Sequence, residues 1–190
     1  MLIRSVKQQE SSWNINGSNL IIMKKIGLFY SYNTKKTLKI ADLIRHSFKE
    51  DEIDPVNVEE VTSEQLLSYD NIICGVPTWF DGELPNYWDE FVPDLEDMDL
   101  SGKNIAIFGL GDQKGYPENF LDGVGILGEI LEEQGARLVG FTSTEGYTFE
   151  RSKAVREDKF IGLAIDFENQ GSMNKERITK WVEQLRSEFL

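Results

Sequence analysis

Short apolar runs alternate along this chain with longer segments in which apolar residues recur every three or four positions. The apolar runs predict buried strands, and in chain order they read IGLFY, VNVEEV, IICGV, IAIFG, RLVGF and FIGLAI. The longer segments predict helices at about 37–49, 64–67, 120–134 and 175–189, with another helix that begins at Pro85. Strands that alternate with helices are typical of an α/β domain built on a parallel sheet.

Two stretches depart from this alternation. Residues 1–22 mix polar and isolated apolar residues without a period, which predicts a disordered extension before a single domain at 23–190. The second stretch, Thr142 to Lys159, separates RLVGF from FIGLAI and is unusually long for a connection in a compact domain.

Aromatic residues stand in two loops that follow predicted strands. Trp79 lies in the segment GVPTWFDGELPNYWDEF at the end of IICGV, and Tyr116 lies in GLGDQKGYPENFLDG at the end of IAIFG. Open α/β sheets bind ligands at the carboxyl ends of their strands, so two aromatic loops there can sandwich a flat ring. The alternative, two ordinary core aromatics, is disfavoured because each stands in a loop rich in Gly and Asp.

A third loop has the residues of a phosphate site. After the first strand, SYNTKKT places hydroxyls, backbone N–H groups and lysines at a helix start, where the helix dipole and unpaired N–H donors favour anions. Taken alone, a Thr before a helix is more often only a cap. Because the two aromatic loops accompany it, the segment Tyr32 to Thr37 is interpreted as a phosphate loop.

These segments together resemble one known family. The patterns TWxxGELPxxWDxF, GLGDQxGYxxNFxD and TEGYxFxxSKAVRxxxFxGLAID are similar to those of the flavodoxins, specifically the long-chain class, and the resemblance covers 24–190. It implies an α/β, flavodoxin-like three-layer sandwich whose five-stranded parallel sheet has the order 2-1-3-4-5. It also implies that an insertion at 142–159 splits the fifth strand.

The resemblance implies non-covalent binding of FMN, with Trp79 and Tyr116 on opposite faces of the isoalloxazine ring and Tyr32 to Thr37 at the phosphate. The residues that it assigns to FMN are Tyr32, Asn33, Thr34, Lys35, Lys36, Thr37, Pro77, Thr78, Trp79, Phe80, Asp81, Gly82, Gly109, Leu110, Gly111, Asp112, Gln113, Tyr116, Asn119, Asp122 and Glu168. No catalytic residue and no metal ligand are assigned.

Backbone and acidic groups complete the implied site. The backbone from Phe80 to Gly82 is expected at the N5 edge of the ring, and the backbone of Asp112 and Gln113 at its pyrimidine side. An acidic side chain after GLAID is expected at the ribityl chain, either Asp166 or, at the family's customary position, Glu168.

The phosphate loop departs from the family pattern. Flavodoxins carry [ST]xTGxT, whereas this chain reads YNTKKT, which keeps Thr34 and Thr37 but replaces the first hydroxyl residue by Tyr32 and the glycine by Lys35. The sequence leaves open whether the backbone keeps the usual loop shape. We predict that Lys35 or Lys36 adds positive potential beside the phosphate.

Composition bears on partners. With 40% hydrophobic and 28% charged residues the chain has an ordinary soluble composition, and its net charge is −13. That charge disfavours nucleic acid and anionic membranes and favours basic protein surfaces, although it can also serve solubility alone. The resemblance implies redox partners of the ferredoxin/flavodoxin-NADP reductase type or other oxidoreductases. Since no apolar run approaches a membrane span and the amino terminus lacks the order of a secretory signal, a cytoplasmic monomer is predicted.

The predicted function is that of a low-potential one-electron carrier. Acidic residues near the two aromatic loops, namely Asp81, Glu83, Asp112 and Asp122, disfavour additional negative charge at the flavin. His46 is predicted at a helix surface and Cys74 as a small buried residue, so neither indicates catalysis. The alternative is an FMN-dependent NAD(P)H:quinone reductase-like enzyme, which is disfavoured because a ring shielded by two aromatics leaves little room for a nicotinamide.

Overall fold

The computed structural model describes residues 25–48 and 52–189, so the prediction for 1–22 lies outside the described residues. The strands are β1 (Ile26–Tyr30), β2 (Ile53–Asn57), β3 (Asn71–Pro77), β4 (Asn104–Gly111), β5 (Arg137–Val139), β6 (Thr142–Ser143), β7 (Val155–Arg156), β8 (Lys159–Phe160) and β9 (Leu163–Asp166). The helices are α1 (Lys35–Ser47), α2 (Ser63–Leu67), α3 (Asn86–Asp89), α4 (Val92–Glu96), α5 (Asp122–Glu133) and α6 (Asn174–Glu188). Short 3-10 helices lie at Val58–Glu60, Pro117–Asn119 and Gly171–Met173.

The central sheet is parallel and has the order β2-β1-β3-β4-β5, which confirms the predicted topology. Almost every residue of β1, β3 and β4 is buried, because helices cover both faces of these inner strands. The order reverses at β1 and β3, so the carboxyl ends of these strands flank the crevice in which such sheets bind ligands.

The fifth position of the sheet is shared by two strands. β5 pairs with the beginning of β4, from Asn104 to Ala106, and β9 pairs with its end, from Phe108 to Gly111. The chain between β5 and β9 contains the small antiparallel sheet β6-β8-β7. The predicted split of the fifth strand by an insertion is therefore confirmed.

The insertion is attached to the rest of the domain by aromatic packing. Phe120, which precedes α5, stacks on Phe149 of the insertion with ring centroids 5.4 Å apart and meets the Phe160 ring at 5.8 Å. Tyr147 meets Phe160 edge to face at 5.3 Å and donates a hydrogen bond of 2.6 Å to the Ala164 carbonyl. The insertion thus packs against Phe120, at the end of the loop between β4 and α5.

Two predicted strands have the wrong bounds. The run VNVEEV was predicted as a strand, but β2 ends at Asn57 and Val58–Glu60 forms a 3-10 helix. β2 lies at the edge of the sheet, where Pro55 is tolerated and the apolar pattern is weak. The run FIGLAI was also predicted as one strand, but Phe160 ends β8 and β9 begins only at Leu163. The helix predicted to begin at Pro85 is confirmed, since Pro85 is the N-cap of α3, and a second short helix, α4, follows it.

Two apolar clusters lie on opposite faces of the sheet and give the domain three layers. One joins the sheet to α5 and the segment 84–100, and the other joins it to α1 and α6. As predicted, Cys74 is completely buried and His46 is exposed on α1. Among the described residues, no helix combines the length and apolarity needed to cross a membrane.

Candidate cofactor site

A cavity of about 510 Å³ opens where β1, β3, β4 and β9 end. Small-molecule and cofactor sites typically have volumes of about 300–1,000 Å³, so this cavity has the size of a cofactor site. Its lining comes from the three predicted loops and the chain after β9, namely Thr34, Lys35, Lys36, Thr37, Pro77, Thr78, Trp79, Leu110, Gly111, Asp112, Tyr116, Phe167 and Glu168.

One end of the cavity is the amino terminus of α1. Thr34 is the N-cap residue, but its side chain makes no capping hydrogen bond and instead donates to the Ser31 carbonyl at 3.1 Å. The first turn of α1 contains no acidic residue. The first backbone N–H groups of a helix have no partner within the helix, so this end presents donors and a positive dipole to an anion.

The loop before α1 is held in shape by Glu59. The Ser31 hydroxyl donates to one carboxylate oxygen of Glu59, and the Asn33 amide donates to the other at 2.7 Å. The neighbouring Asn57 side chain accepts from the Tyr32 backbone N–H at 3.3 Å. These bonds join the loop to the end of β2 and the 3-10 helix that follows it, while Thr34 to Thr37 line the cavity.

The lysine in place of the family's glycine is accommodated without a left-handed backbone. Lys35 is the first residue of α1 and is absent from the positive-φ residues of the described chain. Its neighbour Lys36 forms an ion pair with Glu168 across the cavity rim, and the Lys36 ammonium also lies 5.9 Å from the centre of the Phe167 ring. Lys35 makes no such ion pair within the described residues, so its charge is the less compensated of the two.

The first aromatic loop is a tight turn that places Trp79 at the cavity wall. The Trp79 N–H donates to the Glu83 carbonyl at 3.0 Å, and the Glu83 N–H donates back at 2.8 Å. Between them Phe80 has φ +44° and is 71% exposed, while Gly82 has φ +96°. A Cβ at Gly82 would lie 2.7 Å from an oxygen of Asp122, so the position requires glycine.

A hydrogen bond joins the Asp81 carbonyl of this turn to the second aromatic loop. The Asn119 side chain donates to the Asp81 carbonyl at 2.9 Å. Phe80 and Asn119 also line a smaller cavity of about 260 Å³ that adjoins the main one at Trp79 and Tyr116. The two aromatic loops are therefore held next to each other.

The second aromatic loop is organised by Asp112. One oxygen of its carboxylate accepts from the backbone N–H groups of Lys114 and Gly115, at 3.1 and 2.8 Å, and from the Asn169 amide at 2.8 Å. The hydrogen bond from Gly115 lowers the pKa of Asp112, with smaller contributions from Asn169 and Lys114. This turn leaves the Tyr116 ring 58% exposed at the cavity.

The structure separates the two acidic candidates for the ribityl contact. Asp166 is completely buried and accepts hydrogen bonds from the Gln113 backbone and side chain and from Asn169. Glu168 is exposed and lines the cavity. Asp166 therefore holds the loops together, and of these two candidates Glu168 is the one that lines the cavity.

Most of the residues predicted from sequence are brought together, and some are not. Besides the residues that line the main cavity, Phe80 and Asn119 line the adjoining one. Seven predicted residues do not line either, namely Tyr32, Asn33, Asp81, Gly82, Gly109, Gln113 and Asp122. Among these, the Gln113 side chain is buried in the Asp166 network, and Asp122 is buried and accepts from the Lys153 N–H at 2.7 Å.

Phe167 lines the cavity and was not predicted. It directly follows β9, and its position between Asp166 and Glu168 was the only available signal. Its ring also lies 5.4 Å from the Lys39 ammonium. Phe167 therefore adds apolar surface between the donors of α1 and the second aromatic loop.

The cavity suits a ligand with an anionic group at one end and a flat ring at the other. Helix N–H donors and Lys35 lie at one end, and Trp79 and Tyr116 lie at the other. Among residues 25–48 and 52–189, no cluster of His, Cys, Asp and Glu could hold a metal ion.

Comparisons with known proteins agree with this geometry. The family model described as flavodoxin matches residues 28–181. A flavodoxin of a Nostoc species is 46% identical over 166 residues, which cover 87% of this chain and 98% of that protein. Flavodoxin 1 of Escherichia coli is 41% identical over 164 residues, which cover 86% of this chain and 93% of that protein. The crystal structure of Fusobacterium nucleatum flavodoxin bound to flavin mononucleotide superposes with a TM-score of 0.84 at 37% identity, covering 88% of this chain and 100% of that one.

Proposed function

This chain belongs to the flavodoxin family, and from that premise we propose that its cavity holds FMN and that the protein carries single electrons between redox proteins. The observation that carries the proposal is one cavity with an uncapped helix start at one end and two aromatic rings at the other. FMN has the matching chemistry, a phosphate and a flat isoalloxazine ring joined by a ribityl chain. The flavin supplies the redox chemistry when it is bound.

The phosphate end of the proposed site is the amino terminus of α1. The backbone N–H groups of Lys35, Lys36 and Thr37 are the donors that the helix itself leaves unpaired, and the Thr37 side chain also lines the cavity. Lys35 adds a positive charge at the same end. Glu168, across the cavity and paired with Lys36, is proposed to meet the ribityl hydroxyls.

The ring end of the proposed site lies between Trp79 and Tyr116. Aromatic stacking contributes about 0.5–1.5 kcal/mol beyond the burial of area, so two rings are a substantial part of flavin affinity. The backbone from Phe80 to Gly82 is proposed to meet the N5 edge. The backbone at Asp112 is proposed to meet the pyrimidine side.

Carboxylates around the ring end favour a low reduction potential. Asp81, Glu83 and Glu118 are exposed in the two aromatic loops, Asp112 lines the cavity, and Asp122 is buried next to Gly82. At an effective dielectric of 20, two negative charges about 10 Å apart repel by roughly 1.7 kcal/mol. Since about 1.4 kcal/mol corresponds to about 59 mV for one electron, a few such charges lower the potential considerably.

Membership of the flavodoxin family implies redox partners. A net charge of −13 supports docking on basic surfaces of reductases and acceptor enzymes, of the ferredoxin/flavodoxin-NADP reductase type or others. We propose that the protein is a cytoplasmic monomer and that residues 23–190 form the domain that binds FMN and transfers electrons. A quinone reductase-like activity is not favoured, since the relatives and the solved structure described above are flavodoxins.

The experiment that tests the proposal is stepwise anaerobic reduction of the FMN-reconstituted protein, followed by visible absorption, with free FMN as the control. A one-electron carrier takes up the two electrons in separate stages, with a long-lived one-electron-reduced flavin between them. Failure to bind FMN would contradict the site. Direct two-electron reduction together with steady-state NAD(P)H oxidation by the protein alone would instead identify a reductase.

A further inference from the structure

A second cavity, of about 340 Å³, lies between the insertion and α6. It shares no lining residue with either of the two cavities of the proposed flavin site. Its volume lies within the range of about 300–1,000 Å³ that is typical of small-molecule sites. The FMN function proposed above does not use this cavity, so its lining residues need an explanation of their own.

The inner wall of the second cavity is apolar. Leu163 at the start of β9 and Trp181 of α6 are almost completely buried and line it, as does the half-buried Tyr147 of the insertion. The Trp181 indole N–H already donates to the Gly140 carbonyl at 2.7 Å, so only its ring is available to a ligand. Met173 also lines the cavity and is 46% exposed, which places it at the opening to solvent. These walls suit an apolar or aromatic group.

Arg177 brings a positive charge and an unused hydrogen-bond donor to the second cavity. Its guanidinium carbon lies 4.3 Å from the centre of the Tyr147 ring, which holds the group against the insertion. Nη1 of Arg177 is buried and has no hydrogen-bond partner within the described residues. Leaving a buried donor without a partner costs free energy, which a ligand that accepts from it would recover. A carboxylate is the best match, because it can accept two parallel hydrogen bonds from a guanidinium.

The other charged residues of the second cavity leave one carboxylate without a counter-ion. Lys180 donates to Glu176 at 2.6 Å, one turn earlier in α6, so these two charges compensate each other. Glu145 of the insertion is exposed, lines the cavity and takes part in none of the ion pairs found among residues 25–48 and 52–189, and the same holds for Arg177. One positive and one negative group therefore remain for a ligand. A simple anion would meet Glu145, and a simple cation would meet Arg177.

We propose that the second cavity binds a free α-amino acid with an apolar side chain. The carboxylate of the amino acid accepts hydrogen bonds from Arg177, and its ammonium group pairs with Glu145. Its side chain packs against Leu163, Trp181 and Tyr147. A zwitterion is the ligand whose two charges match the two that the cavity leaves uncompensated. The inference does not depend on the FMN function, because the two sites share no lining residue.

The test titrates L-phenylalanine into the full-length protein in the presence of FMN and follows the indole N–H resonances by NMR. The resonance of Trp181 should shift and saturate, whereas that of Trp79, which lines the cofactor cavity, should not move. 2-Phenylethylamine, which lacks the carboxylate, should bind about 10- to 150-fold more weakly, the range of one hydrogen bond to a charged group. 3-Phenylpropanoate, which lacks the ammonium group, should bind up to about fivefold more weakly, because Glu145 is exposed.

Variants assign each end of the amino acid to its residue. Arg177→Gln should raise the Kd of L-phenylalanine about 10- to 150-fold and leave that of 2-phenylethylamine unchanged. Glu145→Gln should raise the Kd of L-phenylalanine up to about fivefold and leave that of 3-phenylpropanoate unchanged. Arg151→Gln and Glu150→Gln are the matched controls, because both residues are exposed in the insertion outside this cavity, and neither should change any of these constants.

Three results overturn the inference: no saturable shift of the Trp181 resonance, equal affinity for the three compounds, or binding of L-phenylalanine that Arg177→Gln does not weaken. If Arg177→Gln does not fold, the comparison of the three compounds on the wild-type protein decides. A protein that does not bind FMN would contradict the proposed function alone, because the same titration can then be made on the flavin-free protein.

Discussion

The Gln113 side chain donates a hydrogen bond of 2.6 Å to the buried carboxylate of Asp166, which joins the second aromatic loop to the end of β9. The same side chain accepts from the Thr148 N–H at 2.6 Å, so the insertion is joined to both. Asn169 adds two further donors to Asp166. A buried charge is tolerated when it is hydrogen-bonded, and here the charge holds three segments of the cavity wall together.

Replacing Gln113 by Leu is expected to destabilise the protein by about 1–3 kcal/mol, because the buried Asp166 loses a donor and the Thr148 N–H loses its acceptor. FMN affinity should fall as well, since the Tyr116 loop loses its support. Chemical denaturation measures the free energy of unfolding, and Lys114→Ala, an exposed neighbour, is the control. A change within about 0.5 kcal/mol of wild type would show that the network carries no stability.

The inner strands could be predicted from sequence, because burial on both faces gives each a continuous apolar run. β1 was placed correctly from IGLFY, and the predicted starts of β3 and β4 are within one residue. β2 could not be placed in this way, since as an edge strand it contains Pro55 and Asp54, and its apolar residues continue into the 3-10 helix at Val58. The apolar pattern of this segment shows which residues are buried, but it does not show that the pairing of β2 with β1 ends at Asn57.

The candidate site was predictable where loops follow strands, and less so where side chains meet over long distances in the chain. Trp79 and Tyr116 line the cavity as the motifs imply. The Gln113 side chain does not line the cavity, because it bonds to Asp166. Asp166 is 53 residues away in the chain, so no local sequence pattern predicts this bond.

Replacing Tyr116 by Leu is expected to raise the Kd of FMN about 2- to 12-fold, which is the stacking contribution beyond area burial. Riboflavin affinity should fall by the same factor, because Tyr116 acts on the ring and not on the phosphate. Titration of the flavin's fluorescence measures both, and Met173→Ala, another exposed apolar side chain, is the control. A loss limited to FMN would contradict the assignment of Tyr116 to the ring.

The Asp112 carboxylate is expected to make stability depend on pH in the acid range. Because hydrogen bonds lower its pKa in the folded protein, its contribution is present above the ordinary value of 3.8 and is lost as the pH falls through the lowered pKa. Wild type should therefore be more stable than Asp112→Asn near neutral pH, and the difference should shrink at acid pH. Denaturation curves measured across that range test this, with Asp94→Asn, an exposed carboxylate on α4, as the control. If the difference in the free energy of unfolding between wild type and Asp112→Asn does not depend on pH, the charge of Asp112 does not cause it.

The departure at Lys35 predicts an unusual dependence of FMN affinity on salt. Its ammonium lies at the phosphate end of the cavity without the ion pair that Glu168 gives to Lys36. An exposed pair contributes about 0–1 kcal/mol, so Lys35→Gln should raise the Kd of FMN by up to about fivefold at low ionic strength. The Debye length falls from about 30 Å at 0.01 M to about 3 Å at 1 M salt, so the difference from wild type should disappear in high salt.

Lys35→Gly separates charge from backbone shape at the same position. Since Lys35 occupies an ordinary helical start, the glycine that the family pattern carries there gains no conformational advantage in this chain. Lys35→Gly should therefore reproduce the salt dependence of Lys35→Gln, whereas Lys159→Gln in the insertion should match wild type at every salt concentration. FMN titrations over a series of salt concentrations measure this. If Lys35→Gly binds FMN with the affinity and the salt dependence of wild type, Lys35 does not act on the phosphate, and the backbone donors of α1 neutralise it unaided.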